Sequence, residues 1–331
     1  MKTGKVPENV LKRSVLRQIK TKRKEVLNGA GVGVDCAIFS PAGDNKVAVC
    51  MQEGVVSAKK ENTEACKEVP VTMAALIQRC ANNLAAGGAK PTAIMITLML
   101  PEEMEEPLVK ALMAEAEEKS AELDIEIVGG QTRVTSTVSA VVAVITGYGI
   151  LFGEAFPTVR AAAPGQDVLV SKWIGLEGTA LAVKRCRTKL LDRYPAYLVE
   201  EAGDFERYLS ILPEAEIAMK AGVCAMHDAS EGGIFGALWE LAEGAGVGLT
   251  IDMRKLPLRQ ETVEVCECCG LNPYEILSGG CLIMTAQNGQ KLLTALEAEK
   301  IPAVIIGRVT ESNDRILING DEIRYMDRPK V

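Results

Sequence analysis

The stretch Met226-His227-Asp228-Ala229-Ser230-Glu231-Gly232-Gly233 contains the only histidine of the chain and joins a short apolar segment to one with helical spacing. We predict a strand that ends at Met226 and a helix that opens at Glu231 or Gly232, capped by Asp228 or Ser230. Free backbone N–H groups at such a helix start can bind phosphate or carboxylate. A well-capped turn around a hydrogen-bonded histidine fits the spacing equally well, so both interpretations stay open.

Length and composition indicate a globular protein of two domains. The chain has 331 residues, of which 48% are hydrophobic and 24% are charged. That length suggests two domains, since one domain takes about 150 residues. The formal net charge of -7 argues against nucleic acid or an anionic membrane as the main partner.

The start of the chain and its cysteines predict a cytoplasmic location. The N-terminal residues run into a charged amphipathic segment instead of the apolar core of a signal peptide. No apolar run reaches the length of about 18 residues that a membrane span needs. Ten cysteines without a secretory signal are typical of free thiols in a reducing compartment.

Strands and helices alternate in both halves, which predicts an α/β (α+β) fold. A long buried helix is expected over residues 69–86, and a short strand over 125–128 is expected to end in Gly129-Gly130. The segment 153–165, with two prolines and three consecutive alanines, is predicted to be the interdomain connection. The predicted domains are therefore residues 1–155 and residues 156–331.

A glycine-rich segment does not match the spacing of either common nucleotide-binding motif; it reads Gly29-Ala30-Gly31-Val32-Gly33-Val34-Asp35. Its third glycine falls at the wrong distance for the dinucleotide fingerprint, and the chain has no Gly-x-x-x-x-Gly-Lys-Ser/Thr loop. Asp35 is a candidate metal ligand, and the alternative is an exposed aspartate in a flexible loop.

The remaining candidates are polar or thiol residues inside apolar segments. The group Cys266-Glu267-Cys268-Cys269 lacks the second Cys or His pair of a zinc site and falls in a predicted helix, so no zinc is expected. Asn82-Asn83 and Gln131-Thr132 interrupt apolar segments. Such groups are usually hydrogen-bonded locally, and the alternative is that they face a ligand.

Several segments, in this order, resemble the superfamily of aminoimidazole ribonucleotide (AIR) synthetase, thiamine-monophosphate kinase, selenophosphate synthetase and the hydrogenase maturation protein HypE. The likeness is greatest to HypE-like proteins and extends over nearly the whole chain. It rests on these segments: Gly33-Val34-Asp35-Cys36-Ala37; residues 82–91; Val128-Gly129-Gly130-Gln131-Thr132; residues 227–233; residues 244–248; and Gly270-Leu271-Asn272-Pro273.

The resemblance implies a two-domain AIR synthetase-like architecture, in which the sheet of the N-terminal domain pairs with that of a second subunit to form a homodimer. It also implies that ATP and Mg²⁺ lie between the domains, where ATP activates a small-molecule or protein-tail substrate. No nucleic-acid or membrane partner is implied. The nucleotide-binding residues implied by matching positions are Asp35, Asn83, Gly87, Gly130, Gln131, Thr132, Asp228, Gly232 and Gly233, with Asp35 and Glu53 as metal ligands.

The chain departs from the family pattern at its metal ligands. The family usually has Asp at the position of Asn83 and Asp or His at Gln131, and its strand-end Asp is replaced within Met51-Gln52-Glu53. An amide keeps an oxygen but loses the charge that Mg²⁺ prefers. We therefore expect weak Mg²⁺ binding, on which phosphoryl transfer depends.

Two further departures concern substrate and anion binding. HypE carries its carbamoyl group on a C-terminal cysteine, whereas this sequence ends in Met326-Asp327-Arg328-Pro329-Lys330-Val331. The tail reaction is therefore not expected in cis. Glu231 adds a negative charge at the expected phosphate site, and Glu177 stands where relatives often carry His.

Two functions follow from these observations. One is a HypE-like enzyme that uses ATP to activate an unknown substrate, with hydrogenase maturation as its setting. The alternative is a non-catalytic relative with a degraded Mg-ATP site, which acts as a ligand sensor or partner-binding scaffold. The catalytic residues are unknown at this stage.

Overall fold

The computed structural model describes residues 8–10, 12–13, 16, 26–40, 46–56 and 71–328. The described part forms two α/β domains, each built on one mixed sheet. The elements of the first domain are α1 (Glu8–Val10), β1 (Val26–Asn28), β2 (Ala37–Phe39), β3 (Val47–Val56), α2 (Met73–Ala86), β4 (Ala89–Leu100), α3 (Glu106–Glu122), β5 (Glu126–Val134) and β6 (Val141–Leu151).

The first sheet has six strands in the order β1-β2-β3-β6-β4-β5. All neighbours are antiparallel except β4 and β5, which are parallel. Alternate residues of β3, β4 and β6 are buried, as expected of strands with one covered face. Helix α2 packs on the covered face and contacts β3, β6 and β4, so the core of this domain lies between α2 and the sheet.

Helix α2 ends where its sequence predicts, but it begins at Met73, whereas the predicted start at residue 69 lies outside the described residues. The Thr72 hydroxyl accepts a hydrogen bond from the Ala75 backbone N–H, which caps the first turn. Gly87 and Gly88 follow the last turn, and Gly88 has a φ of 77° that favours glycine. The predicted helix over 69–86 is therefore confirmed from Met73 to Ala86.

The second domain has seven strands in the order β13-β12-β9-β11-β7-β10-β8. Helix α7 packs on one face of this sheet, and α6 and α9 pack on the other. Its elements are β7 (Asp167–Ser171), α4 (Leu176–Leu191), α5 (Ala196–Gly203), α6 (Leu212–Ala221), β8 (Ala225–Ala229), α7 (Gly233–Ala245), β9 (Gly248–Asp252), α8 (Gln260–Cys269), β10 (Cys281–Ala286), α9 (Gly289–Ala298), β11 (Ala303–Thr310), β12 (Arg315–Asn319) and β13 (Glu322–Tyr325).

The histidine segment corrects the sequence prediction. The strand does not end at Met226, because β8 continues to Ala229 and pairs His227 with Ile283 of β10. The cap of α7 is Gly232, with a φ of 79° and no side-chain hydrogen bond, so neither Asp228 nor Ser230 caps the helix. Antiparallel pairing with β10 holds these residues in the sheet, which local spacing does not reveal.

The diglycine Gly129-Gly130 also lies inside a strand instead of ending one. Strand β5 runs from Glu126 to Val134 and pairs in parallel with β4, with a register shift beside Gly129. A Cβ atom at Gly130 would lie 1.8 Å from the carbonyl oxygen of Ile96. Close approach of two backbones therefore explains this glycine better than a strand end does.

No helix in the described part of the chain is long and apolar enough to cross a membrane.

Candidate functional site

His227 joins the two domains through a hydrogen bond to Asp35, and a second hydrogen bond, within its own domain, holds the other side of its ring. Its Nδ1 lies 2.8 Å from Oδ2 of Asp35, which precedes β2 in the first domain. Its Nε2 lies 3.2 Å from Oε2 of Glu240 on α7. The histidine is only 3% exposed. A buried imidazole between two carboxylates is therefore the central contact of the domain interface.

The two carboxylates keep His227 positively charged. Burial opposes the charge on the ring, but Asp35 and Glu240 outweigh burial and raise the pKa of His227 to about 10. At neutral pH both ring nitrogens therefore donate, one to each carboxylate. This contact is an ion pair across the domains, with the positive charge on the second domain.

Asp228 lies next to His227 in β8 and also favours its protonated form, which for a carboxyl group is neutral. It is 4% exposed, and its Oδ1 has no hydrogen-bond partner within the protein. Burial and the nearby Asp35 carboxylate raise the pKa of Asp228 well above its ordinary value. The neutral acid is therefore favoured. A buried polar atom without a partner is uncommon and points to a bound water or ligand group.

A second ion pair crosses the interface beside Asp228. Arg79 on α2 donates from Nε and Nη2 to Oε1 of Glu177 on α4, at 2.9 Å and 2.7 Å. The two side chains are 15% and 7% exposed. Both groups lie close enough to influence the pKa of Asp228. The Arg79–Glu177 pair and the His227–Asp35 pair therefore belong to one interdomain cluster.

Asn82 fixes a connecting segment of the second domain, residues 209–211, against α2. Its Nδ2 donates to the carbonyl of Leu209 at 2.8 Å, and its Oδ1 accepts from the backbone N–H of Ile211 at 3.2 Å. The same Oδ1 accepts from Nε2 of Gln78 at 2.9 Å. We name residues 209–211 the interdomain strap. Asn82 is therefore occupied by protein contacts, as the local hydrogen-bonding alternative predicts.

The residues predicted on the first domain side of the cleft fall together at the end of α2. Asn83 is half-buried, and its carbonyl accepts from the Cys36 thiol at 2.9 Å. Gly87 packs against Cys36, where a Cβ atom would lie 2.9 Å from Sγ. Asp35 and Gly87 also line a small cavity of about 10 Å³ beside Met226, roughly enough for one water molecule.

Two backbone amides in the first turn of α7 are paired with carbonyls outside the helix, so this helix start offers fewer free amides than its sequence predicts. The backbone N–H of Gly233 donates to the carbonyl of Ser230, and that of Phe235 donates to the carbonyl of Tyr274. Gly233 is buried, and a Cβ atom there would meet the backbone of residues 274–276. Gly232 is exposed in the turn. The glycines therefore permit close packing of a neighbouring loop, and protein carbonyls take up these amides.

The other predicted residues lie on the first sheet, away from the His227 contact. Gly130, Gln131 and Thr132 are exposed on the edge strand β5. Glu53 is exposed on β3, opposite Val144 of β6. The Cys266, Cys268 and Cys269 group lies on α8, as predicted, with the first two thiols buried.

The cleft carboxylates do not fit a Mg²⁺ ion as they stand. Asp35 and Glu240 are bound to a charged His227, and Glu177 is bound to Arg79. Burial favours the neutral form of Asp228, and Mg²⁺ prefers ionised oxygen ligands. Among the described residues, no three His, Cys, Asp or Glu side chains are grouped so that they could hold a metal.

Sequence reasoning missed three residues of this cluster: Arg79, Glu177 as a partner of Arg79, and Glu240. Arg79 is the single charged residue in the apolar helix Met73–Ala86, and that anomaly could have identified it. Glu240 gave no such signal, since a glutamate on an amphipathic helix is ordinarily a solvated residue.

Two family models match most of the chain. The model described as AIR synthase related protein, N-terminal domain, matches residues 33–151. The corresponding C-terminal domain model matches residues 163–318. The first match contains Asp35 and Arg79, and the second contains Glu177 and His227, so the interdomain cluster is formed by both family domains.

Curated relatives are named for hydrogenase maturation. A putative hydrogenase expression/formation protein of Methanocaldococcus jannaschii is 28% identical over 249 residues, which cover 72% of this chain and 70% of the relative. The carbamoyl dehydratase HypE of Rhodobacter capsulatus is 28% identical over 233 residues, which cover 69% and 66%. The aligned part thus spans about two thirds of the length of these relatives.

Solved structures of HypE share the fold. HypE in a crystal structure of a HypE–HypF complex matches with a TM-score of 0.74 and 21% identity, covering 96% of this chain and 99% of that chain. A crystal structure of HypE in complex with ATP matches with a TM-score of 0.70 and 18% identity, covering 99% and 96%. The family models, the curated relatives and the fold agree. The chain therefore belongs to the AIR synthase related family and is HypE-like within it.

Proposed function

We propose that this HypE-like protein binds ATP in the interdomain cleft and uses it to activate a small-molecule or protein-tail substrate. The observation that carries the proposal is the unpartnered Oδ1 of the buried Asp228, beside the ion pair between His227 and Asp35. A buried acid without a protein partner in a cleft between domains is typical of a ligand site. The ATP complex of a HypE of the same fold supports ATP as the ligand.

The residues of the cleft have different roles in this proposal. The neutral Asp228 donates or accepts a hydrogen bond with a ligand group that reaches β8. His227 and Asp35 orient the two domains around that group. Gly87 lines a small cavity together with Asp35, and Asn83 contacts the adjacent Cys36, so both would border the bound group. Gly232, the cap of α7, would approach it only from the turn after β8. Gly130, Gln131 and Thr132 on the edge strand contribute only if the ligand extends along β5.

Mg²⁺ has no role in the step that we propose. In the family the ion neutralises the triphosphate, but here Asp35 is bound to His227, and amides stand at Asn83 and Gln131. Glu53 lies on an exposed face of β3. We therefore expect ATP binding that depends little on the metal.

A second candidate function is a non-catalytic ligand sensor or partner-binding scaffold. The mutual pairing of the cleft charges favours it, because Asp35 and Glu177 already have cationic partners within the protein. Such a protein binds a ligand without turning it over. If this function arose by loss of the family's charged metal ligands at Asn83 and Gln131, the double variant Asn83→Asp with Gln131→Asp should strengthen Mg²⁺-dependent nucleotide binding.

We also propose a homodimer formed through the first sheet. Helix α2 covers one face of this sheet, whereas Met51 and Met95 on the other face are 61% and 39% exposed. Both pair with Thr146 of β6, so the two side chains lie in one row across three strands. Large apolar side chains in a row on an uncovered sheet face are typical of an interface.

Ligand identity is tested by native mass spectrometry of the protein as purified, followed by a thermal-shift screen of metabolites and ATP. We expect ATP to raise the melting temperature, and Asp228→Leu, which removes the polar group, to abolish that rise. Asp192→Asn, on an exposed turn after α4, serves as the matched control. Binding of ATP without any turnover, over a wide range of candidate substrates, would favour the sensor over the enzyme.

A further inference from the structure

Glu177 is the ion-pair partner of Arg79, a cation that α2 of the first domain presents to the second domain. Arg79 donates two hydrogen bonds to a single oxygen of Glu177. Glu177 is buried at the interface, and Arg79 is half-buried there. In the described residues, no other contact of the Arg79 guanidinium is seen. An arginine that is held by one carboxylate can exchange it for another anion, since carboxylate and phosphate make the same hydrogen bonds.

The backbone around Glu177 is adapted to its carboxylate. A Cβ atom at Gly279 would lie only 2.3 Å from Oε2 of Glu177, so any larger residue there would displace the side chain. The carboxylate lies beside the start of α4, whose cap Gly175 has a φ of 74°. The acid thus sits in a space that glycines keep open beside a helix start, where anions are favoured.

The net charge of the interdomain cluster shows how the cluster would change if the Glu177 carboxylate left it. Asp35, Glu177 and Glu240 are three anions against the two cations His227 and Arg79. If the Glu177 carboxylate leaves, the two remaining carboxylates balance the two cations. The cluster can then accept one negative charge from a ligand without becoming more negative than it is with Glu177 in place. The unpartnered Oδ1 of the buried Asp228, within electrostatic range of Arg79, adds a hydrogen-bonding group for such a ligand.

We propose that Arg79 is an anion-binding residue of the interdomain cleft and that Glu177 is an internal carboxylate which occupies it until a phosphate or carboxylate group displaces it. The proposal rests on the cleft being the ligand site proposed above, and it adds the residue that receives the anionic group. Because Glu177 belongs to the second domain, displacement also breaks an ion pair between the domains. Anion binding is therefore coupled to domain contact.

The test uses pyrophosphate as the probe and calorimetry on the full chain. Glu177→Gln should bind pyrophosphate about tenfold more tightly than the wild type, because the competing charge is gone while the shape is kept. The double variant Arg79→Met with Glu177→Gln should not bind it. Glu267→Gln removes one charge from the exposed Arg193–Glu267 pair of the same domain and should bind as the wild type does.

Equal pyrophosphate affinity in folded Glu177→Gln and wild type would overturn the proposal. If Glu177→Gln cannot be recovered folded, the wild type and the double variant decide. The proposal then requires that millimolar pyrophosphate binds the wild type and does not bind the double variant. Equal pyrophosphate binding by the two proteins would reject Arg79 as the anion-binding residue. ATP binding by the wild type is measured separately. If the wild type binds pyrophosphate but not ATP, the proposed nucleotide ligand is rejected and the proposed anion site at Arg79 is retained.

Discussion

His227 determines how the two domains meet at the level of single residues. Its ring is buried and contacts Asp35 of one domain and Glu240 of the other. A buried charge is stable only with partners, and removal of one partner of such a group typically costs about 3–5 kcal/mol. The ion pair therefore contributes to the relative position of the domains, and with it to the shape of the cleft.

Replacing His227 should weaken the protein in a pH-dependent way. We expect His227→Gln to lower the free energy of unfolding at pH 7 by about 3 kcal/mol, because two carboxylates lose their cation. The folded pKa of about 10 lies above the unfolded value. The stabilisation is therefore complete below pH ~6.5 and is lost as the pH rises through the folded pKa.

Urea unfolding of wild type and His227→Gln between pH 6 and pH 10 measures this difference, which should shrink toward the alkaline end. Lys220→Gln, at an exposed ion pair with Glu216, is the control and should change stability by less than about 0.5 kcal/mol. A difference that stays constant over this range would mean that His227 is neutral in the folded protein.

Asp228 should behave oppositely to an ordinary surface aspartate. Its raised pKa means that ionisation costs folding free energy, so its stabilising contribution is present at acidic pH and is lost as the pH rises through the folded pKa. Asp228→Asn has no proton to lose. We expect the variant to be at least as stable as the wild type at pH 8, and its relative stability to increase with pH. Thermal unfolding of the wild type and Asp228→Asn measures this difference in stability. A clear loss of stability in Asp228→Asn at pH 8 would indicate that Asp228 is ionised in the wild type.

The sequence predicted some of these residues and missed others for a physical reason. Asp35 and Asp228 were candidates from their motifs, and the structure brings both to the His227 contact. Arg79 and Glu240 were not, because their roles come from partners that lie 98 and 13 residues away along the chain. Spacing within a motif carries no information on such pairs.

At the scale of elements, pairing with a neighbour changes what a local pattern predicts. The apolar segment before His227 predicted a strand that ends at Met226, but pairing with β10 extends β8 through Ala229. The diglycine in β5 predicted a strand end, but pairing with β4 continues past it. The end of helix α2 was predicted well, since its terminal glycines are local signals. Local signals therefore located elements, and sheet pairing determined their ends.

The contact between α2 and the interdomain strap, residues 209–211, can be tested at one residue. Asn82→Ala removes the acceptor for Ile211 N–H and the donor to the Leu209 carbonyl, and leaves both buried groups without a partner. We expect a loss of about 2–3 kcal/mol of unfolding free energy.

Asn83→Ala is the matched control for Asn82→Ala. Asn83 is half-buried and contacts Cys36 through its backbone carbonyl, which alanine retains. The loss of unfolding free energy should therefore stay below about 1 kcal/mol. Chemical denaturation of both variants gives the comparison, and limited proteolysis near residue 210 should be faster only in Asn82→Ala. Equal stability losses would mean that the strap is held by other contacts.

At the scale of the whole molecule, two features stand apart, the contact between the domains and an uncovered sheet face. The charged cluster lies at the domain contact, and the exposed face of the first sheet carries Met51 and Met95. The sequence predicts two α/β domains joined near residues 153–165, whereas the contact between the domains depends on side chains from α2, α4 and β8. The division at residue 155 remains a prediction.

The sheet face should determine the oligomeric state. We expect Met51→Lys with Met95→Lys to convert a dimer to a monomer, because a lysine must lose its hydration to enter an apolar interface. Sedimentation velocity at several protein concentrations measures the change. Tyr197→Lys, on α5 of the second domain and 72% exposed, should leave the wild-type state unchanged. A wild-type monomer at all concentrations would contradict the proposed interface.

The most direct test of the ATP-binding cleft is calorimetric titration of ATP into the full chain, once with Mg²⁺ and once with EDTA. Because the cleft carboxylates are held by His227 and Arg79, the affinity should agree within about twofold between the two conditions. ATP binding that appears only with Mg²⁺ would contradict this account and indicate that Asp35 leaves His227 to hold a metal.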